Sequence, residues 1–484
     1  MRHSAALLLL TSASFLLGFW RDVEIASSFG GSAVSDALFL ALVVPVFVEN
    51  ILGVALRDAL IPRLKTAQGA GTYNVEVTEL GRIVLPGALL VTLIFCMLPA
   101  FWVGLLAPGW TGVQATLARD MFLVGALSLA VLVWSYFQAG VLSAEGRLTL
   151  PGWRSVLFNV GAIGAIYLAP ASGTAVLVGM VGGQVLHLFW MQAVLGKKGL
   201  AGETVGAGSV PLFLRGFFPL LGATVALQIN VVAERFFASW LEAGSIAALA
   251  YAFRLASAPV VLLSLSVIAV LFPALVTQGL AVDRGYLPDL LRKGVKLTLL
   301  TLVPVSVFLT VCAEPAVKLL FQRGAFGAHD TAITAQASVA YALGLPAMGL
   351  ALLGGRAVLA LGLSQSVLTA ALLAMTATLS LDVLLWRPYG AAGLALALSG
   401  GAAVHAALLW WAVLQHCWVT DFGASVLRWL VAGIGAGLLL ALGTWADWTG
   451  VIAGGVASVL LCWALAWALG ERFSVRLLRF HEAG

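Results

Sequence analysis

The sequence predicts an all-α integral membrane protein of about 14 transmembrane helices, two six-helix lobes in parallel pseudo-repeat followed by two C-terminal helices. Three observations predict it. Of 484 residues, 61% are apolar and 10% charged, against roughly 25% charged in an average soluble domain, and the mean hydropathy is +1.04. The apolar stretches run about 20 residues or more, enough to cross a hydrocarbon core of roughly 30 Å. The chain also repeats itself at a near-constant offset. In lipid every backbone polar group must be satisfied within its own segment, which selects helices; unbroken runs such as Val84–Leu106 exclude the short alternating strands of a barrel.

Breaks at Gly, Pro and charge clusters define spans 1 to 14 as residues 4–28, 33–62, 83–106, 115–143, 150–169, 173–195, 211–241, 245–277, 295–313, 331–361, 366–386, 390–415, 424–445 and 449–470. The expected lobes are residues 1–200 and 201–418, with 419–484 carrying spans 13 and 14 and a cytoplasmic tail. Met1-Arg2-His3 and the apolar run behind it resemble a signal peptide, but no small-x-small cleavage site closes the run, so it is read as a retained first helix. Cys96, Cys312, Cys417 and Cys462 are far apart in apolar text, without metal or redox spacing, and read as packing residues.

Lys and Arg set the orientation. With the N-terminus inside, 17 of the 26 fall in cytoplasmic segments or at the cytoplasmic ends of spans, Arg154, Arg215, Lys296 and Arg428 among the latter; 3 (Lys318, Arg323, Arg387) fall on the other side, and the remaining 6 (Arg21, Arg57, Arg119, Arg235, Arg254, Arg356) elsewhere within spans. Such a bias places both termini in the cytoplasm and requires an even number of spans. The net charge of +5 is therefore a topology signal, and no nucleic-acid partner is implied.

The repeat is visible in three places. Gly31-Ser32-Ala33-Val34 and Pro45 are echoed by Gly244-Ser245-Ile246-Ala247 and Pro259, and Ala59-Leu60-Ile61-Pro62 by Val270-Leu271-Phe272-Pro273. The turn Leu105-Leu106-Ala107-Pro108-Gly109-Trp110 matches Leu319-Leu320-Phe321-Gln322-Arg323-Gly324. Parallel repeats around a cavity are a transporter architecture.

An ionisable group at mid-bilayer costs roughly 2.5–3.5 kcal/mol on the insertion scale, so it must face protein or water. Arg21, Asp22 and Glu24 lie in span 1, Asp36, Glu49, Arg57 and Asp58 in span 2, Glu234-Arg235 in span 7 and Arg254 in span 8. These are the first helix pairs of the two repeats, and pairs that face each other would line one polar cavity. Arg21-Asp22 and Arg57-Asp58 also read as interfacial ion pairs with snorkelling side chains, and Arg119-Asp120 reads as interfacial. A cavity arginine at 254 suits a phosphate-bearing substrate, because guanidinium is a planar fork for phosphate oxygens. Gln228, Asn230 and Glu234 in span 7, with Thr378 and Asp382 one turn apart in span 11, are oxygen ligands for a cation; Asp382 paired with Arg387 is the structural alternative.

The residues around these charges carry a family resemblance. Leu17-Gly18-Phe19-Trp20-Arg21-Asp22, Ile25-Ala26-Ser27-Ser28-Phe29-Gly30, Ser35-Asp36-Ala37-Leu38-Phe39 and Pro45 resemble the opening signature of the MurJ/MviN family. Tyr251-Ala252-Phe253-Arg254-Leu255, Pro259 and Leu320-Phe321-Gln322-Arg323-Gly324-Ala325-Phe326 resemble its second-half motifs. The resemblance implies membership of the multidrug/oligosaccharidyl-lipid/polysaccharide exporter superfamily, whose two lobes flip undecaprenyl-pyrophosphate-linked glycans, notably lipid II, by alternating access. It maps the family's cavity arginines and acid onto Arg21, Asp36 and Arg254, its Na⁺ site onto Glu234, Thr378 and Asp382, and a groove for the lipid tail onto spans 13 and 14.

This chain departs from the pattern in span 1, where Phe15 stands for an arginine, and in span 2, where Val46-Phe47-Val48-Glu49-Asn50 replaces an arginine pair. The following segment reads Val54-Ala55-Leu56-Arg57, and Arg57 is placed to replace one missing cation. The expected substrate-facing set is thus Arg21, Asp36, Arg254, Arg57 and Glu49. The expected activity is flipping of a lipid-linked glycan, with an exopolysaccharide unit favoured over lipid II. A multidrug-type cation antiporter is the alternative from the same superfamily. A membrane enzyme would need catalytic groups on sizeable outer loops, and the outer loops here are short. The chain is expected to act as a monomer in the bacterial inner membrane among its lipids, with no cofactor other than a coupling Na⁺ or proton. Green fluorescent protein fused after Lys198 or Gly484 should fluoresce and alkaline phosphatase there should be inactive, with the reverse at Arg387; the opposite pattern would invert the topology.

Overall fold

The computed structural model describes residues 2–196, 225, 228–263, 275, 287–417, 419–443, 445 and 447–471, and among them the secondary structure is helical throughout, with no strand. Ten helices among the described residues are long and apolar enough to cross a membrane. Spans 2, 4, 6, 9, 10, 13 and 14 each fall on one of them, span 3 is divided at Leu98 between Tyr73–Met97 and the short helix Pro99–Leu106, and spans 1 and 5 fall on the helices Arg2–Phe29 and Thr149–Leu168. Spans 11 and 12 form one 53-residue helix, Ser364–His416, interrupted only at Gly390, whose φ of 55 and ψ of −134 turn the chain just after Pro388. Most of span 7 and the end of span 8 lie outside the described residues.

The two halves repeat in helix length as well as in text. Tyr73–Met97 and Leu287–Val311 are both 25 residues, and Gly112–Ala144 and Ala328–Ala360 are both 33. Between each such pair sits a short helix, Pro99–Leu106 in one half and Ala313–Phe321 in the other, at the turns matched in the sequence.

Two compact units result, Met1–Ala247 with Arg323–Gly327, and Ala248–Gln322 with Ala328–Gly484. The first runs past the boundary expected at residue 200 because polar contacts hold the later residues on it. Asn50 Nδ2 donates to Gln228 Oε1 at 3.4 Å, Gly109 N to Ser239 Oγ at 3.1 Å and Ala325 N to Ser27 O at 2.7 Å. Its centre is Gly112–Ala144, which packs on Ala33–Val48, Val54–Ala70, Tyr73–Met97 and Gly173–Leu195. Thr149–Leu168 and Gly173–Leu195 cross so closely that a Cβ on Gly161, Gly179 or Gly183 would strike the opposite backbone.

The second unit is centred on Ala328–Ala360, packed between Leu287–Val311 and Ser364–His416. Spans 13 and 14, expected as a segment apart, belong to this unit: Phe422–Leu440 and Trp448–Ala468 pack on Leu287–Val311 through Val303, Val307, Trp429, Ala436 and Cys462. Three of the four free cysteines are buried, and Cys417 and Cys462 sit in this core.

Just beyond the last helix, Glu471 is fully buried. It pairs with Lys296 Nζ at 2.5 Å and accepts from Ser425 Oγ at 2.8 Å and Arg428 Nη1 at 3.3 Å, pinning the chain end to two other helices. Burial pushes its carboxyl up, but the hydrogen bonds from Lys296, Ser425 and Arg428 and the Lys296 charge together hold it below the usual carboxylate range. A depressed carboxyl stabilises the fold fully above the unfolded value of about 4.3 and loses that contribution as pH falls through the folded value. The apparent Tm of the purified protein should therefore drop as pH is lowered through the acid range. Glu471→Gln should flatten that dependence and cost about 3–5 kcal/mol at neutral pH, the scale for breaking a buried ion pair; an unchanged pH profile in the variant would remove Glu471 from this role.

Candidate functional site

The polar groups of the first unit are brought together by local irregularities in apolar helices. Pro45 lies inside Ala33–Val48, and the chain continues through a five-residue π-turn, Glu49–Gly53, before Val54–Ala70. Single π-turns within α-helices commonly mark functional positions, because the extra residue re-aims a side chain. Gly53 has no Cβ, and the Tyr136 ring occupies that space. Tyr136 Oη can then donate to Glu49 Oε1 at 2.8 Å. Arg154 completes the group: its Nη1 donates to Glu49 Oε2 at 3.4 Å, its Nη2 pairs with Glu49 Oε1 and reaches Tyr136 Oη at 3.2 Å, and its Cζ stands 5.1 Å from the Tyr136 ring centre.

Beside this group lies a cavity of about 430 Å³, lined by five helices. Thr11 and Ser14 come from the first helix, Arg57 and Asp58 from Val54–Ala70, Ser135 and Tyr136 from Gly112–Ala144, Arg154 and Ser155 from Thr149–Leu168, and His187 from Gly173–Leu195. Arg57 pairs with Asp58 at 2.9 Å and both are partly exposed. His187 is fully buried, its Nε2 3.0 Å from Leu150 O.

Arg21 and Asp36 sit elsewhere in the same unit. Arg21 donates through Nε and Nη2 to Asp22 Oδ1 at 2.9 and 2.6 Å and through Nη1 to Asn159 Oδ1 at 3.0 Å, while Asn159 Nδ2 donates to Ser14 O at 3.1 Å. Asp36 accepts from the backbone N of Gly244 at 2.7 Å and of Ala247 at 2.8 Å, so its carboxylate caps the start of Ser245–Leu263, where a helix favours negative charge. Gly244, at φ 93, lies against the Gly31 carbonyl with no room for a side chain.

The structure thus brings Glu49 and Arg57 to one region, near the cavity and in its lining respectively, and keeps Arg21 and Asp36 in separate networks. Arg254 is half-buried on Ser245–Leu263 within the second unit. Of the expected cation ligands, Glu234 belongs to the first unit and pairs with Arg235 at 3.1 Å. Thr378 and Asp382 are buried on one helix of the second, and Thr378 Oγ1 donates to Ala374 O at 3.0 Å. Among the described residues no three His, Cys, Asp or Glu side chains gather into a metal cage. Arg119 and Asp120 are exposed. Sequence reasoning counted Arg154 with the cytoplasmic cations and passed over Tyr136, Asn159 and His187. The available signal was a polar residue inside an apolar run, as in Trp134-Ser135-Tyr136-Phe137-Gln138.

The family model described as "Lipid II flippase MurJ" matches residues 25–467, through both units. The chain belongs to the MurJ family. Among MurJ relatives, "Lipid II flippase MurJ" of Burkholderia cenocepacia is 29% identical over 483 residues, covering 92% of this chain and 91% of its own length. "Probable lipid II flippase MurJ" of Thermotoga maritima is 28% identical over 410 residues and 82% of each chain. The fold resembles the solved structure "Lipid II flippase MurJ, inward closed conformation" at a TM-score of 0.81 and 23% identity, over 96% of this chain and 98% of that one. It also resembles a structure described as the inward-facing conformation of a multidrug resistance MATE family transporter of the MOP superfamily, at 0.71 and 13% identity, over 84% and 98%. The MurJ fold is that of a multi-pass membrane transporter, as the apolar helices require.

The side chains of Glu49 and Arg154 are 25% and 16% exposed, so their pairing contributes to folding. Glu49→Gln should cost about 1–3 kcal/mol by leaving Arg154 without its charged partner. In an Arg154→Gln background the same change should cost far less, and a double-mutant cycle by unfolding in detergent measures the difference; additive effects would contradict the pairing.

Proposed function

We propose that this chain moves a polyprenyl-pyrophosphate-linked glycan across the bacterial inner membrane by alternating access, with both termini in the cytoplasm. The observation that carries the reading is the family match through residues 25–467. Lipid II is the cargo that the relatives' names support first. A different lipid-linked saccharide is the second reading, favoured by one feature of this chain: Glu49 occupies a segment where the resemblance expects cations, and it engages Arg154. A multidrug antiporter would want an acidic, aromatic cavity, whereas the carboxylates at this cavity, Asp58 and the neighbouring Glu49, are each paired with an arginine. No catalytic role is proposed.

In this reading Arg254 and Arg21 are each a phosphate-binding group, Arg21 by exchanging its bond to Asp22 for one to phosphate. Asp36, released from the amides of Gly244 and Ala247, lets that helix start move during the cycle. Thr378 and Asp382, buried on one helix, take a coupling Na⁺ or proton, and Glu234 is a separate candidate for that role in the first unit. The support for a charge-coupled step is energetic: the membrane potential supplies about 2.3 kcal/mol per charge per 100 mV.

Expression in a strain depleted of its own lipid II flippase distinguishes the cargoes. Growth, with lipid II reaching the outer leaflet, would establish the first reading, and Arg254→Ala at equal protein level should then abolish growth. Failure of the wild-type chain to rescue, while its deletion in the native host leaves another lipid-linked saccharide inside, would establish the second. Full activity of the Arg21→Ala, Arg254→Ala double variant would remove the phosphate role from both.

A further inference from the structure

We infer that the cavity of the first unit is a subsite for a neutral, polyhydroxylated group, a saccharide, and not for phosphate. Its charges balance. Arg57 is paired with Asp58 and Arg154 with Glu49, so neither guanidinium stands as a surplus cation. Phosphate oxygens only accept hydrogen bonds and call for donors in excess of positive charge. This wall instead mixes donors and acceptors: guanidinium N–H groups, the Asp58 carboxylate, and the hydroxyls of Ser14 and Ser135.

The buried wall makes the case sharper. Ser135 and His187 are 1% and 0% exposed, and Ser135 Oγ and His187 Nδ1 have no hydrogen-bond partner in the protein. Both residues line the cavity. A carbonyl only accepts, so the 3.0 Å contact with Leu150 O places the imidazole proton on Nε2. In the neutral ring Nδ1 is then a bare acceptor on a residue that lines the cavity. An unmet buried polar group costs about 1–3 kcal/mol, and two of them belong to residues that line this one cavity. A sugar hydroxyl donates and accepts at once, which meets a lone pair and a serine hydroxyl together. The volume of about 430 Å³ lies within the ordinary range for small-molecule sites, about 300–1,000 Å³.

That the occupant is the head-group sugar of the transported lipid rests on the flippase reading; that the cavity takes a saccharide does not. Full-length protein in nanodiscs is titrated with undecaprenyl pyrophosphate, undecaprenyl-pyrophosphoryl N-acetylglucosamine and free N-acetylglucosamine. Two variants are compared, Ser135→Leu, which fills the cavity, and Asp58→Asn, a change at a partly exposed position that leaves the interior packing alone. Both should weaken the sugar-bearing lipid roughly tenfold, the scale of one or two lost hydrogen bonds, and neither should weaken the sugarless lipid. Equal weakening of both lipids would make this a phosphate site, and unchanged binding of both would leave the flippase reading standing without this subsite; either overturns the proposal. If wild type binds free N-acetylglucosamine, loses it in Ser135→Leu and binds neither lipid, the saccharide site stands and the flippase reading falls. If no saccharide binds in any form, the cavity holds water only and the proposal is overturned.

Discussion

Inside a hydrocarbon slab a polar group has no solvent to turn to, so the helices that cross it must supply every partner from within the protein. That constraint organises this chain. Arg21 is spent on Asp22 and Asn159, Glu49 on Arg154 and Tyr136, and Asp36 on two backbone amides. Serine and threonine hydroxyls in apolar helices turn back onto carbonyls one turn earlier, as Thr92 does on Ala88, Thr301 on Leu297 and Thr378 on Ala374. Against that background Ser135 Oγ and His187 Nδ1 matter by their place: among the described buried atoms without a partner, these two belong to residues lining the first unit's cavity.

Duplication explains where the scaffold is strong. Each half carries a 25-residue helix, a short helix and a 33-residue helix in the same order, and the 33-residue helix is the centre of its unit. Polar function is not duplicated in step. The first unit has the π-turn at Glu49–Gly53 and a polar cavity beside it. The second instead gains two helices on Leu287–Val311, with Lys296 of that helix held by Glu471. A shared frame has therefore been given different polar contents, which is how parallel repeats acquire separate tasks.

The frame was legible in the sequence because hydropathy and punctuation are local properties. Helix ends at Gly30 and Gly146 lie within a few residues of those expected, whereas Tyr73–Met97 and Leu287–Val311 begin earlier than the expected 83 and 295, and the turns matched in the sequence follow short helices. The site was less legible because its pairings are distant in sequence: Arg21 with Asn159 across 138 residues, Glu49 with Arg154 across 105, Asp36 with Gly244 across 208. Nothing in a linear reading says which carboxylate a given arginine will meet. Arg154 shows the cost of that blindness. Six residues into its helix it counted as a cytoplasmic cation by position, yet folding places it against a carboxylate on another helix.

That pairing also changes what the sign reversal at Glu49 means. Taken alone, a glutamate where cations are expected would make the lobe acidic and unfit for a pyrophosphate. With Arg154 against it the local sum is zero, and Arg57 is matched by Asp58 in the same way. An electroneutral wall neither attracts nor repels an anion strongly, so it can discriminate only by directional hydrogen bonds and shape. Discrimination of that kind is effective for sugars, because a buried donor or acceptor left unpaired penalises the wrong hydroxyl pattern more than a matched one is rewarded. Under the proposed function, recognition of charge falls to other arginines such as Arg254, and the proposed subsite beside Glu49 distinguishes one glycan from another.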